Sequence, residues 1–228
     1  MNENLLALIQ LCDSNFPTGA FSHSFGMESY IQEGVVYDKD TFSKWLSLYL
    51  HNQLVYSDGL AARLVYEALE EDKLAIIWHL DRLLTVQNFS EETREGTVRI
   101  GERMLAMVES LFDAELLRSY RERIQKKQSF GHPAIVFTMV GYCLGVEKET
   151  TNQLYLYSAI VSLVQNAVRA IPLGQTTGQK IIYEYQQEIS KAVKVINQLS
   201  ENDFGIVAPG IERSQMAHEQ INIRIFSS

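Results

Sequence analysis

Gln165 to Lys180 reads QNAVRAIPLGQTTGQK, and this stretch decides how the chain folds. An apolar helix runs into it and an amphipathic helix runs out. Pro172 cannot continue the incoming helix, because it lacks an N–H and its ring clashes with the preceding turn. Gly174 can take a positive φ or admit a close backbone. Gln175, Thr176, Thr177 and Gln179 offer hydrogen bonds without charge, and Arg169 is the only charge from Gln165 through Gln179. That composition predicts a tight, buried helix-helix junction rather than a solvated linker. A buried guanidinium needs partners. Arg169 either caps carbonyls at a helix end or joins an interface, where arginine is enriched.

The flanking segments keep helical spacing. Thr150 or Thr151 begins the incoming helix, with Tyr157, Ile160, Val161, Val164, Val168 and Ile171 along one face. The outgoing helix repeats Ile182, Tyr185, Ile189, Ala192, Val193, Ile196 and Leu199. Before the pair lies GHPAIVFTMVGYCLGV, Gly131 to Val146, apolar nearly all round and therefore expected to be buried on most sides. Pro133 suits its first turn. Residues 114–127 read as a charged helix. Ser90 caps a helix on which Val98, Leu105 and Phe112 recur every seven residues. Asp72 opens another, with Ile76, Ile77, Leu80, Leu83 and Leu84 on one face. Asp40 is the expected N-cap of a helix carrying Phe42, Trp45, Leu46, Tyr49 and Gln53. Ser57-Asp58-Gly59 should end it before a further helix from Leu60 to about Glu70.

Residues 3–12 predict a short first helix. DSNFPTGAFSHSFGMESYIQEG follows, Asp13 to Gly34, mixing turn residues with Phe16, Phe21 and Phe25. A second helix is expected from Ser22 or Ser24 to Gly34. No hairpin pattern appears, and no repeat or low-complexity run. The reading is one all-α domain of about ten helices: a core over residues 1–202 and a tail over 203–228. Gly205, Pro209 and Gly210 mark the tail's start as a connector, and its later part is weakly amphipathic.

Composition limits the function. In 228 residues, 46% are apolar and 21% charged, enough for a real core. A net charge of −8 argues against nucleic acid, which selects basic patches. No basic-then-apolar leader opens the chain and no run is long enough to cross a bilayer, so a cytoplasmic protein is expected. Two isolated thiols, Cys12 and Cys143, agree with a reducing compartment. None of the five histidines lies within four residues of another, so no local metal pair exists and no cofactor is expected. Gly174 to Lys180 lacks the spacing, the Gly-Lys-Ser/Thr ending and the preceding strand of a phosphate loop. His23, in the aromatic turn-rich stretch, is the best candidate for chemistry. A small helical enzyme using His23 with Asp13 or Glu28 is therefore one reading; a non-enzymatic adaptor is the other.

Three segments carry a resemblance. LCDSNFPTGAFSHSFGMESYIQ (Leu11 to Gln32), AVRAIPLGQTTGQ (Ala167 to Gln179) and the segment from Pro209-Gly210-Ile211-Glu212 to Met216-Ala-His218-Glu219-Gln220 resemble the urease accessory protein UreF family. The resemblance implies an all-helical, cytoplasmic, homodimeric adaptor without chemistry of its own. It implies partners too: a UreD/UreH accessory protein, the GTPase UreG and the urease apoprotein, into which the assembly loads nickel. Arg169, Pro172, Gly174, Gln175, Gly178 and Gln179 match the second motif. Asp13, Phe16, Pro17, Gly19, Phe21, His23, Ser24, Gly26 and Glu28 match the first. Pro209, Gly210, Glu212, Met216, His218 and Glu219 are the expected contact residues of the tail. The resemblance implies that both motifs serve packing and protein-protein surfaces, some members lining a path for nickel.

Overall fold

The fold was described from a computed structural model covering residues 3–206 and 208–228. Met1, Asn2 and Val207 lie outside the described residues, and with them the first positions of the leader reading and one position of the tail. The described residues form eleven α-helices with no strand, 72% helical, in one all-α domain.

The centre is α8 (Pro133–Cys143). Ile135, Val136, Phe137, Met139 and Val140 are all fully buried, so the apolar run is buried on every side, as its composition requires. Helices α4 (Leu60–Glu70), α6 (Glu91–Leu111), α7 (Glu115–Gln125) and α9 (Lys148–Ala170) surround it. Its entry is fixed by polar groups. Asp81 of α5 (Leu74–Val86), fully buried, accepts from Phe130 N at 2.7 Å and His132 N at 3.1 Å. Gly101 of α6 lets the Gly131 carbonyl pass, since a Cβ there would sit 1.7 Å from that oxygen.

Helix α9 packs along α10 (Gln175–Ile196), and the predicted stripe on α10 is buried from Ile182 to Ile196, with Leu199 beyond the helix half-buried. Helix α9 begins at Lys148, ahead of Thr150; Thr151 instead turns its hydroxyl onto the Val146 carbonyl.

Other boundaries move for local reasons. The N-cap of α3 (Lys39–Tyr49) is Asp38 rather than Asp40, because Thr41 at the third position reciprocates in a capping box. Ser57-Asp58-Gly59 does not end the helix. The backbone stays helical through a π-type run, Leu50–Gly59, straight into α4, and Gly59 keeps helical φ while making room for Ile196. Asp72 ends α4 at φ 55 rather than opening α5, whose N-cap is Lys73.

The first helix, α1, spans Glu3–Gln10. The aromatic stretch after it is mostly not helical. It holds a 3-10 turn (Ala20–Ser22), and α2 is only Met27–Gln32, because Gly26 at φ 89 breaks the backbone before it. Pro209 and Gly210 do not act as a connector. Pro209 occupies the first turn of α11 (Pro209–His218), where its missing N–H costs nothing.

Candidate functional site: a fastened tail and an open junction

The two polar, glycine-bearing motifs end up in opposite environments. The first is locked under the tail. Glu28 of α2 is 1% exposed. Its Oε1 accepts from Ile225 N at 2.6 Å and its Oε2 from Phe226 N at 3.0 Å. His218, fully buried at the end of α11, places Nε2 2.9 Å from Glu28 and Nδ1 3.1 Å from Glu92. Carboxylates only accept, so an imidazolium, donating from both nitrogens, satisfies this arrangement. Burial pushes the Glu92 carboxyl up, but hydrogen bonds from Arg224 and His218, and their charges, outweigh it and hold it below the usual range.

More bonds fasten the same edge. Ser24 N donates to Ser228 O at 2.5 Å and Ser227 N to Ser22 O at 2.7 Å. Ser29 Oγ donates to the Ser214 carbonyl at 2.6 Å. Glu219 accepts from Ser90 Oγ at 2.9 Å and Glu91 N at 2.8 Å, so the tail supplies a carboxylate to the positive end of α6. Gly26 is required twice over: its φ is 89°, and a Cβ would meet Ser214 Oγ at 2.3 Å.

His23 is buried against Gly96 and faces Ser228 Oγ at 2.7 Å through Nδ1, not Asp13 or Glu28. Burial, then the charges of Arg99, Arg103 and His218, push its pKa down to about 4, which keeps the ring neutral at pH 7. Asp13 is exposed and folds back on Asn15. The three groups of the enzymatic reading are thus not brought together as a catalytic set.

Arg169 is exposed, contrary to the expectation from its neighbours. It is not a cap of its own helix. It donates to the Phe21 carbonyl and, at 2.6 Å, to Asn166 Oδ1, and its guanidinium lies 5.7 Å from the Phe21 ring and 5.0 Å from that of Phe226. Asn166, fully buried, donates to the His23 carbonyl at 2.7 Å. One turn of α9 therefore clamps the first motif from below while the tail clamps it from above.

The junction itself is open rather than buried. Ile171 and Leu173 point inward, but Pro172, Gly174, Gln175, Thr176 and Gln179 are exposed. Gly174 has φ −65 and nothing within 4 Å of a would-be Cβ. The close approach falls at Gly178, against Val168 and Val164. In the tail, His218 is buried, Glu212 and Glu219 are half-buried, and Pro209, Gly210 and Met216 are exposed. Of the remaining first-motif residues, Phe16, Gly19 and Ser24 are buried; Pro17 and Phe21 are exposed.

Sequence reading missed Asn166, Glu92, Ser214 and Arg224. Asn166 had a signal: a polar residue three positions before Arg169, on the same face of the helix. The others join the site through contacts more than a hundred residues apart in sequence.

Fold and site define an all-helical protein that fastens its C-terminal segment onto an aromatic N-terminal motif and leaves a glycine-bearing helix junction at the surface. The UreF family profile matches residues 36–186, which include the junction. The chain is 54% identical over 228 residues to the urease accessory protein UreF of Lachnoclostridium phytofermentans, covering all of both chains. It is 48% identical over 224 residues to that of Bacillus sp. strain TB-90, covering 98% of this chain and 99% of the relative. The chain belongs to the UreF family, and its role lies in urease maturation. Among the described residues no helix is long and apolar enough to cross a membrane.

Proposed function

We propose that the protein is the cytoplasmic adaptor of a nickel-insertion assembly, joining a UreD/UreH accessory protein and the GTPase UreG to apo-urease. Nickel is the cargo of that assembly. In this reading the chain acts without chemistry of its own, as a homodimer, and bears on GTP hydrolysis by UreG. The observation that carries the docking role is the edge where Phe21, 57% exposed, and the Arg169 guanidinium meet Phe226 of the tail, the same tail segment that holds Ile223 and Ile225 86% and 58% exposed. Aromatic and arginine side chains are enriched where proteins meet, and apolar groups held open at such an edge gain by being covered. The tail's outer side serves the UreD/UreH-type partner, and the open junction from Pro172 to Gln179 serves the second copy or the GTPase.

The test is co-purification from cells making all the accessory proteins and urease. Ile223→Asp with Ile225→Asp leaves the backbone bonds to Glu28 available and is expected to abolish recovery of the UreD/UreH-type partner while the circular dichroism spectrum stays unchanged. Full recovery of that partner with the double variant would refute the docking role of the tail.

A further inference from the structure

A cavity of about 160 Å³ lies between the first motif and the continuous rod formed by α3, the π-type run and α4. Asp58, from the π-type run, is on its wall. Its Oδ2 accepts from Tyr155 OH at 2.5 Å and its Oδ1 from Ser57 Oγ at 3.1 Å. Among the described residues it makes no ion pair. No Lys or Arg lines the cavity, and its other carboxyl groups are those of Asp13 and Glu212. Burial, then the Asp58 charge, pushes the Tyr49 and Tyr155 hydroxyls well up. Burial pushes His132 down despite Asp58 and Asp81, and its Nδ1 accepts from Ala134 N. The same cavity is lined by Thr93 and Asn88, whose Oγ1 and Oδ1 are buried without a hydrogen-bond partner; Thr93 is 2% exposed. The rest of the wall is mixed: Leu54, Leu84, Ile100 and Met104 give it an apolar part, and Gln53, Thr97, Ser158 and Gln165 add uncharged polar groups.

Each feature narrows the ligand. A carboxylate lacking a counter-charge on a cavity wall repels anions and attracts cations. Unpaired buried acceptors are costly, so they call for a donor. The apolar part of the wall, Leu54, Leu84, Ile100 and Met104, favours a carbon skeleton over a bare hydrated ion. A divalent metal is poorly served: among the described residues no group of three or more His, Cys, Asp or Glu side chains is placed to hold one. A π-type run is itself frequent at functional sites.

We propose that this cavity binds a small protonated amine carrying a second hydrogen-bonding group, its ammonium on Asp58 and its far end toward Thr93 and Asn88. The proposal does not depend on the nickel-insertion reading.

The experiment is isothermal titration of the full chain with ethanolammonium chloride, at constant ionic strength, against potassium chloride and ethylene glycol. Saturable binding is expected for the amine alone. Asp58→Asn keeps the Tyr155 and Ser57 partners and should weaken binding by about tenfold or more, the factor that follows from losing a hydrogen bond to a charged group. Thr93→Val should weaken it a few-fold. Should Asp58→Asn fail to fold, amide resonances of the unaltered protein decide: the amine must shift Ser57 to Gly59 and Thr93 together. Heat indistinguishable from either control, saturation by nickel or zinc at these resonances instead of the amine, or unweakened binding to folded Asp58→Asn would each overturn the proposal.

Discussion

The first motif and the junction look alike in sequence and behave oppositely in three dimensions. Both are polar, glycine-bearing and set among apolar residues. In the first, Gly26 is needed for a positive φ and for the Ser214 contact, and Glu28, His23 and Ser24 are all buried with partners from the tail. In the junction, Gly174 has ordinary φ and open space around it, with Pro172, Gln175 and Thr176 exposed nearby. The difference teaches that a polar, glycine-bearing segment has two physical uses. One is to satisfy buried backbone by side chains, which rigidifies the chain's own fold. The other is to keep a surface low and uncharged enough for another molecule to approach.

The sharpest way to break this comparison is Glu28→Ala. The variant strands His218 and the amides of Ile225 and Phe226, three groups that now share one buried carboxylate. Removing one member of a buried charged pair typically costs about 3–5 kcal/mol. Urea denaturation should show a loss of that size, and limited proteolysis should cut after His218 in the variant before cutting the core. A loss below about 1 kcal/mol would mean the tail is held by its apolar contacts instead.

Proton linkage gives a smaller effect on the same side of the comparison. In the fold His23 titrates near 4, depressed first by burial and then by Arg99, Arg103 and His218. In the unfolded chain it titrates near ~6.5. Between those values the unfolded chain takes up a proton that the fold refuses, so stability is complete above about pH 6.5 and falls as pH drops toward 4. His132, depressed by burial, contributes with the same sign. The His23 share should be on the order of 1–3 kcal/mol. Denaturation from pH 7 to 4 should show a shallower decline in His23→Gln than in the unaltered chain. Parallel declines would place His23's ring in contact with water.

How legible these regions were depends on whether a pattern is local. The burial of α8 follows from its composition alone, and the α10 stripe from its spacing. The Ser57-Asp58-Gly59 break failed because turn residues were weighed without the rod they sit in; Leu54, Val55 and Leu60 on either side are buried and hold the helix through. The tail was harder. Ile221, Ile223, Ile225 and Phe226 mix two periods, since this segment is neither helix nor strand and takes its order from Glu28, nearly two hundred residues away. Arg169 was legible as important but not in its setting: apolar sequence neighbours at i±1 lie on other faces of α9, and the guanidinium leaves along the exposed one.

Arg169→Ala tests the hinge between the two regions. The side chain is exposed, so the loss of its bonds to the Phe21 carbonyl and Asn166 should cost only about 1 kcal/mol of stability, far less than a buried pair. If the edge it shares with Phe21 is a contact surface, sedimentation or partner recovery should weaken by much more than that stability change explains. Unchanged association together with a loss of several kcal/mol would reverse the assignment and make Arg169 part of the internal lock.

The smallest expected effect is the most discriminating. Gly174→Ala meets nothing within 4 Å and asks for no unusual backbone. With φ −65 the alanine adopts the native conformation, and it restricts the unfolded chain, so stability should be unchanged or rise by up to about 1 kcal/mol. Gly26→Ala, by contrast, must move Ser214 or its own backbone and should lose at least about 2 kcal/mol. Space that is empty in the single chain can still be filled by a partner. Gly174→Trp should therefore keep the thermal midpoint of Gly174→Ala while abolishing whichever association uses the junction. If Gly174→Trp retains every association of the unaltered chain, the junction is merely a solvent-exposed turn. If Gly174→Ala itself lowers the midpoint by several degrees, the junction carries internal strain and the contrast with the first motif fails.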